Sequence, residues 1–271
     1  MIVISDLDGT LLDSRARLSI RNRSTLESLG GRGIVRVVAT GRSLHSARLV
    51  LDDAFPIDYL VFSSGAGVVE WRSQRLMIAR DMSFEEAWEI AGVLIDRRLD
   101  FMLHHGVPDN HHFFYYRAGA PNADFDARCA RYEPYAKPWP DAPPSLDRAS
   151  QLLAIEPRDA PSQFDDLEAA LPIHNVILTT SPLDHASRWI EIFPRAVSKA
   201  TASAWLCDEL GVDAGHALAV GNDFNDIELL EWAPDGRVVA NAPAPLRERY
   251  QTVVSNDADG FSEAVEGWLR D

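Results

Sequence analysis

The sequence predicts an α/β protein: a doubly wound parallel sheet interrupted by a smaller inserted α+β domain. Short β-branched runs alternate with helix-like stretches at both ends of the chain, and each run stops at small or polar residues. The middle of the chain abandons that alternation for adjacent strand pairs between helices. The 271 residues also exceed a typical single domain and leave room for two modest ones. The core is assigned to residues 1–81 and 190–271, and the insertion to residues 82–189.

Met1–Ile4 reads as a buried strand that ends at Asp6 and Asp8. Arg15–Leu29 reads as a loop and short helix closed by Gly30 and Gly31, and Ile34–Ala39 as a second strand. A helix over Leu44–Leu51 and a strand over Tyr59–Phe62 continue the alternation. In the insertion, Phe84, Ala87, Trp88, Ala91, Leu94 and Ile95 recur at helical spacing within Ser83–Arg98, with Ser83 as N-cap. Strands at Phe101–Leu103 and His112–Tyr116, a helix at Ala123–Tyr132 and a Pro-rich connection at Pro134–Pro144 follow. A strand (Gln151–Ile155), a helix (Ser162–Leu171) and two strands (Asn175–Thr179, Ser187–Phe193) complete it, with helices expected on one face of an antiparallel sheet. Alternation resumes with a helix over Ser198–Gly211 and strands at Ala217–Val220, Arg237–Ala240 and Thr252–Val254. Helices over Ile227–Trp232, Pro245–Gln251 and Phe261–Leu269 separate and close them.

A net charge of −15 repels nucleic acid and anionic membrane, which need clustered Lys and Arg, so neither is an expected partner. Any phosphate site must therefore supply its own local cations. No apolar run reaches the roughly 18–20 residues of a membrane span, and a cytoplasmic location is the default expectation. Cys129 and Cys207 lie far apart without metal-ligand spacing and suggest inert thiols.

Residues two apart on a strand share a face, so Asp6 and Asp8 are either a site where open α/β sheets bind ligands or an exposed strand–loop junction that is acidic. Gly9 permits a sharp turn there, and Thr10 adds a hydroxyl. Such a pair suits divalent-metal binding and acid–base chemistry. Thr40 and Gly41 end the second strand, where a hydroxyl and turn amides make either an anion nest or an ordinary N-cap. Arg42 is placed to contact phosphate or substrate, to face solvent, or to brace the insertion. Lys199 opens a helix, where the macrodipole disfavours a cation, so it is either a solvated surface lysine or a side chain that reaches carboxylates and phosphate. Asn222, Asp223, Asn225 and Asp226 form either an Asx-rich turn or a polar site at another strand end. His104, His105, His111 and His112 lack the spacing of well-known zinc sites; His104 and Arg117 are kept as substrate candidates. Trp139 suits stacking on a sugar or packing in a core.

Asp6-Leu7-Asp8-Gly9-Thr10-Leu11 resembles the first signature of the haloacid dehalogenase superfamily, most of whose members are phosphatases. Thr40 matches its second motif, Ser198-Lys199-Ala200 its third, and Gly221-Asn222-Asp223-Phe224-Asn225-Asp226 its fourth. Ser64-Gly65-Ala66 is similar to the Asn-Gly-Ala of Cof-type phosphatases, and the segment from Ala39 to Arg48 looks like sucrose-phosphate phosphatases. Only about 30 residues separate the first two motifs, too few for a cap there, so the insertion takes the place of the C2 cap of subfamily IIB. The resemblance implies a Rossmann-like core, a substrate-selecting cap that closes over the site, and magnesium-dependent hydrolysis of a small phosphorylated metabolite, a sugar phosphate above all. Asp6 would be the nucleophile and Asp8 the general acid and base. Thr40, Gly41, Lys199 and Asn225 would hold phosphate, with Arg42 and Ser64 as substrate candidates beside them. Asp6, the Asp8 carbonyl, and Asn222 or Asp223 would hold Mg2+, with Thr10 and Asp226 behind them. The family's pattern has Asp where this chain has Asn222, which removes a charge from the metal's ligands. That departure motivates an alternative, a sensor or binding protein with a weakened metal site. A receiver-type domain phosphorylated on Asp6 has no place for the insertion or for the helix of Lys199.

Overall fold

Ile2–Ser5 are fully buried and form β1 inside an eight-stranded sheet. The structure, a computed structural model, describes residues 1–184 and 186–270. After β1 come α1 (Ile20–Gly31), β2 (Val35–Ala39), α2 (Leu44–Ala47), β3 (Tyr59–Phe62), β4 (Gly67–Glu70) and β5 (Arg75–Ala79). The middle of the chain forms β6 (Met82–Ser83), α3 (Phe84–Asp96), β7 (Asp100–His105), β8 (Phe113–Tyr116), α4 (Ala123–Arg131) and β9 (Ala136–Pro138). It continues with β10 (Arg148–Glu156), α5 (Phe164–Ala170), β11 (His174–Thr180) and β12 (Arg188–Pro194). Then follow α6 (Lys199–Leu210), β13 (Ala217–Gly221), α7 (Ile227–Trp232), β14 (Asp235–Val239), α8 (Ala244–Arg249), β15 (Gln251–Val253) and α9 (Gly260–Trp268).

The chain divides into two units, one holding Met1–Arg42, Ser46–Ile78 and the chain from Ser198 onward, the other Ser43–His45 and Ala79–Val197. The first unit's sheet runs β15-β14-β13-β1-β2-β3-β4-β5. Its strands from β15 to β3 are parallel, and β4 turns back against β3. Ser5 stands opposite both Val38 of β2 and Val220 of β13, so those three strands deliver their carboxyl ends side by side. That is where a doubly wound sheet binds ligands. Ile4, Val37, Ala39 and Val61 from the strands pack with Ala202, Leu206, Leu229 and Leu246 from the helices, which fixes the strand ends in place.

The second unit is a seven-stranded sheet whose main path runs β11-β12-β10-β7-β8-β9, with β6 paired to β10. Here the structure departs from the one-faced arrangement. Phe101, Leu103, Leu152 and Ala154 face α3 and α5, whereas Met102, Leu153 and Ile155 face Phe125 of α4. Successive residues of β7 and β10 are apolar on both faces, so both faces need a cover. Three further differences concern boundaries. β12 pairs with β10 and β11 as far as Pro194, so a boundary between 189 and 190 would cut a strand, and the unit runs to Val197. α2 stops at Ala47 because Val50 N bonds Ala47 O in a tighter turn. The β4–β5 hairpin follows a short GVVE run that carries little alternation. No helix among the described residues is long and apolar enough to cross a membrane.

His104 is buried on the α4 side of that sheet, its Nδ1 2.7 Å from Asn110 O. Burial, aided by the Arg128 charge, pushes its pKa down to about 3 from 6.5. The unfolded chain therefore binds one more proton between those values, and stability contributed by neutral His104 is present above pH 6.5 and lost as pH falls toward 3. His104→Gln keeps a donor for Asn110 O and should flatten the acid side of the stability profile by up to about 4 kcal/mol. Urea denaturation at a series of pH values checks this, and an unchanged slope contradicts it.

Candidate active site

Asp6 follows the last residue of β1, and its N–H donates to Val220 O at 2.8 Å, which holds it level with the end of β13. Its carboxylate is buried, and Oδ1 accepts from Lys199 Nζ at 2.7 Å. The same ammonium donates to Asp226 Oδ1 at 2.6 Å. Lys199 is held there by a reciprocal cap: Ser198 Oγ accepts from Thr201 N, and Thr201 Oγ1 accepts from Ser198 N. A cation at a helix N-terminus is thus compensated by two carboxylates rather than by solvent. Asp226 is wholly buried, and its Oδ2 accepts from Asn222 N (2.8 Å) and Asp223 N (3.1 Å). Gly221 makes that approach possible, since a Cβ there would lie 2.6 Å from Asp226 Cβ.

Burial pushes the Asp6 carboxyl up, to about 7, against the opposing pull of Lys199. Burial alone would lower Lys199, yet Asp226 and Asp6 outweigh it and hold the ammonium well above its ordinary range. The cluster therefore keeps a cation beside a buried carboxylate oxygen in a region closed to water.

The chain turns through Gly9 at φ +73°, in the left-handed region, and Asn241 Nδ2 donates to Gly9 O at 2.8 Å. Beyond that turn Thr10 is buried, and before it Asp8 carries its carboxylate outward. Arg42 clamps Asp8 with both arms of its fork, Nε to Oδ2 and Nη2 to Oδ1, each at 2.7 Å. Arg42 Nη1 also reaches Ser46 O and Oγ at 3.3 Å, so the guanidinium is fixed from both ends. Thr40 N donates to Val61 O, Arg42 N to Thr40 Oγ1, and Ser64 N to Thr40 O. Gly41 in that loop faces two other residues expected at the site, for a Cβ on it would lie 3.6 Å from Ser64 Oγ and 3.9 Å from Asn225 Nδ2.

Asn222 completes the arrangement. Thr10 Oγ1 donates to Asn222 Oδ1 at 3.0 Å, and that end of the amide lies 3.1 Å from Asp8 O and 3.2 Å from Asp6 Oδ2. Oxygens that converge in this way, Asn222 Oδ1 among them, fit a hard divalent cation. No cluster of three or more His, Cys, Asp or Glu side chains set to hold a metal occurs among the described residues. A cation placed there would meet one carboxylate, a peptide carbonyl, an amide oxygen and the Thr10 hydroxyl. Asp223 Oδ1 accepts from Phe224 N at 2.8 Å and caps the turn that follows.

Asp6, Lys199 and Asp226 are in direct contact, Asp8 and Arg42 form an ion pair, and Thr40, Gly41, Ser64 and Asn225 share one loop cluster. His104 and Arg117 lie in the second unit with partners of their own. His104 is enclosed as described above, which withdraws it from a substrate-facing role. Arg117 bonds Asp126 and Asp100 and lies over the Phe125 ring, bracing α4. Trp139 stacks on Trp88 in the packed core of the same unit. The Arg42–Asp8 clamp and the Asn241 brace are absent from the sequence-based expectations. Asn241 lies just past the end of β14, where a polar residue at a strand end is the signal that could have found it.

The family described as haloacid dehalogenase-like hydrolase matches residues 3–265. The chain belongs to that family. Among its named members, it is 24% identical to 5-amino-6-(5-phospho-D-ribitylamino)uracil phosphatase YwtE of Bacillus subtilis, over 97% of this chain and 96% of that one. Among solved members it is similar to BT1666 of Bacteroides thetaiotaomicron, at 18% identity and TM-score 0.76, covering 99% of this chain and 94% of that one. The HAD subclass IIB sugar phosphatase BT4131 matches with TM-score 0.78 at 16% identity, over 99% and 98% of the two chains. A haloacid dehalogenase-like hydrolase from B. subtilis has TM-score 0.76 at 19% identity, with 98% of each chain covered.

Proposed function

We propose that this protein is a magnesium-dependent phosphatase that hydrolyses a small phosphate monoester, of sugar-phosphate type, through an aspartyl-phosphate on Asp6. The observation that carries this reading is the buried Asp6–Lys199–Asp226 cluster at the carboxyl ends of β1 and β13. Lys199 bonds Asp6 Oδ1 and would orient that oxygen for attack on phosphorus, while Oδ2 faces the metal's donors. The Lys199 ammonium, the Thr40 hydroxyl and the turn around Gly41 would then draw on the negative charge of the phosphoryl oxygens. Asp8, two residues further on, would give a proton to the departing alkoxide and take one from the hydrolytic water. Asp6, the Asp8 carbonyl, and Asn222 or Asp223 would hold Mg2+, which would add charge compensation for the phosphoryl group. Substrate class is inferred from relatives: YwtE acts on a phosphorylated ribityl compound by its name, and BT4131 is called a sugar phosphatase.

Arg42 would fix the orientation of Asp8 and would release one of its oxygens when that oxygen carries the transferred proton. Arg42→Ala should slow hydrolysis of alkyl phosphates by about 10²-fold. It should spare p-nitrophenyl phosphate, whose phenolate leaves without a proton, and Arg42→Lys should recover only part of the loss. Steady-state rates with both substrates check this, and an equal loss on both contradicts it.

Hydrolysis of a panel of sugar, polyol and nucleotide phosphates with added magnesium tests the function itself. Turnover of a sugar or polyol phosphate is expected. Absence of turnover across the panel and on p-nitrophenyl phosphate, in folded protein, would favour the second reading, a binding protein. The specific observation behind that reading is the uncharged Asn222 among the metal's donors.

A further inference from the structure

Four histidines of the second unit, His45, His105, His111 and His112, meet in one cluster. His105 N donates to His112 O at 3.0 Å, and this hairpin contact sets the two rings 5.6 Å apart. His111 lies 4.4 Å from His112 and stacks face to face on His45, also at 4.4 Å. Phe113 N donates to Tyr135 O, which brings the Tyr135 ring edge-on to His45, His111 and His112. Among the described residues, ion pairs of histidine occur at His174 and His216 and at none of these four. The buried Nδ1 of His111 has no hydrogen-bond partner among them either. A chain with 41 Asp and Glu against 26 Lys and Arg thus leaves four clustered imidazoles without an acid pair.

Asp109 in the connecting turn is the carboxylate that acts on His105 and His111, and Lys137 of β9 opposes it at His105. His104 and the Arg128 charge that acts on it add no acid to the cluster. Burial, then the charges of His112 and His45, push His111 down to about 4, and burial with His112 and Lys137 lowers His105. Their charged forms lack a counter-charge. A metal does not fit here: face-to-face rings do not aim their lone pairs at one point, and no group of three or more metal-holding side chains occurs among the described residues. A polyvalent oxyanion does fit, because it neutralises several charged rings at once and accepts from their N–H groups. We propose that His45, His105, His111 and His112, with Lys137, form a second anion site that takes a dianionic oxyanion group of a metabolite and gains protons as it binds. Its residues belong to the second unit and those of the Asp6–Lys199 cluster to the first, and the inference does not rest on the phosphatase reading. Protons and oxyanion are linked ligands, so the anion must raise the proton affinity of the rings by the factor by which protons raise its own. Binding therefore tightens as pH falls toward the range in which the rings charge.

Proton–carbon NMR of the imidazole rings in the intact protein, titrated from neutral into acid pH, tests this in sulfate, in malonate and in chloride at matched ionic strength. Sulfate stands for a phosphoryl group and malonate for a pair of carboxylates. At least one of them should raise the proton affinity of His111 about tenfold or more over chloride. A response to sulfate assigns a phosphoryl-type ligand, and a response to malonate alone assigns a dicarboxylate. Lys137 is exposed, so Lys137→Met should fold, and the response should shrink in it. Sulfate held only at the Asp6–Lys199 cluster would not depend on Lys137. A response unchanged in Lys137→Met overturns the proposal, as does equal proton affinity of His111 in all three salts.

Discussion

Lys199→Met should cost the folded protein about 3–5 kcal/mol and slow hydrolysis by about 10²–10³-fold. Methionine fills a similar volume, so the loss comes from charge rather than from a cavity. The wild-type ammonium bonds Asp6 Oδ1 at 2.7 Å and Asp226 Oδ1 at 2.6 Å, and all three side chains are buried. Without it, two carboxylates face each other in a region of low dielectric with no compensating cation. Asp226 also anchors the backbone after β13 through Asn222 N and Asp223 N, so the damage should reach the metal-facing amide. Urea denaturation measures the first effect and steady-state hydrolysis of p-nitrophenyl phosphate the second. A variant as stable as wild type would mean that the cluster contributes less than its burial implies.

Asp6→Asn should behave in the opposite way toward stability. Burial already pushes the Asp6 carboxyl up to about 7, so the charged form is held against an unfavourable environment. An amide of the same shape removes one buried charge and leaves Lys199 paired with Asp226. Stability should hold or rise, as is common when a strained functional group is replaced. Turnover should fall by about 10⁴-fold or more, because an amide oxygen does not form the covalent intermediate. Thermal unfolding and hydrolysis measured on the same preparation check both halves.

The pattern of residues at strand and helix ends made much of this legible in advance. Asp6, Thr40, Lys199 and Asp226 each follow or open a recognisable element, and parallel pairing of β1 with β2 and β13 then brings them together. Lys199 shows the part played by the motif match: a cation at a helix start is only a mild anomaly, the match to the third motif gives it a role, and the structure supplies Asp6 and Asp226. The Arg42–Asp8 clamp was not legible, because no spacing rule connects residues that meet only through tertiary packing. Asp223 and Asn222 were equal candidates for the metal in sequence. In the structure one oxygen of Asp223, Oδ1, caps the turn that follows by accepting from Phe224 N. The histidines misled for the converse reason: His104 has the chemistry of a ligand, but its strand buries it. The second face of the inserted sheet was missed because β7 and β10 are too uniformly apolar for alternation to show which side is covered.

Rapid acid quench of the protein during turnover, followed by mass spectrometry of the peptide that contains Asp6, tests the central claim most directly. The account predicts a transient gain of one phosphoryl group on Asp6 in the wild type and none in Asp6→Asn. A phosphoryl group trapped on another residue, or wild-type turnover retained by Asp6→Asn, would contradict it.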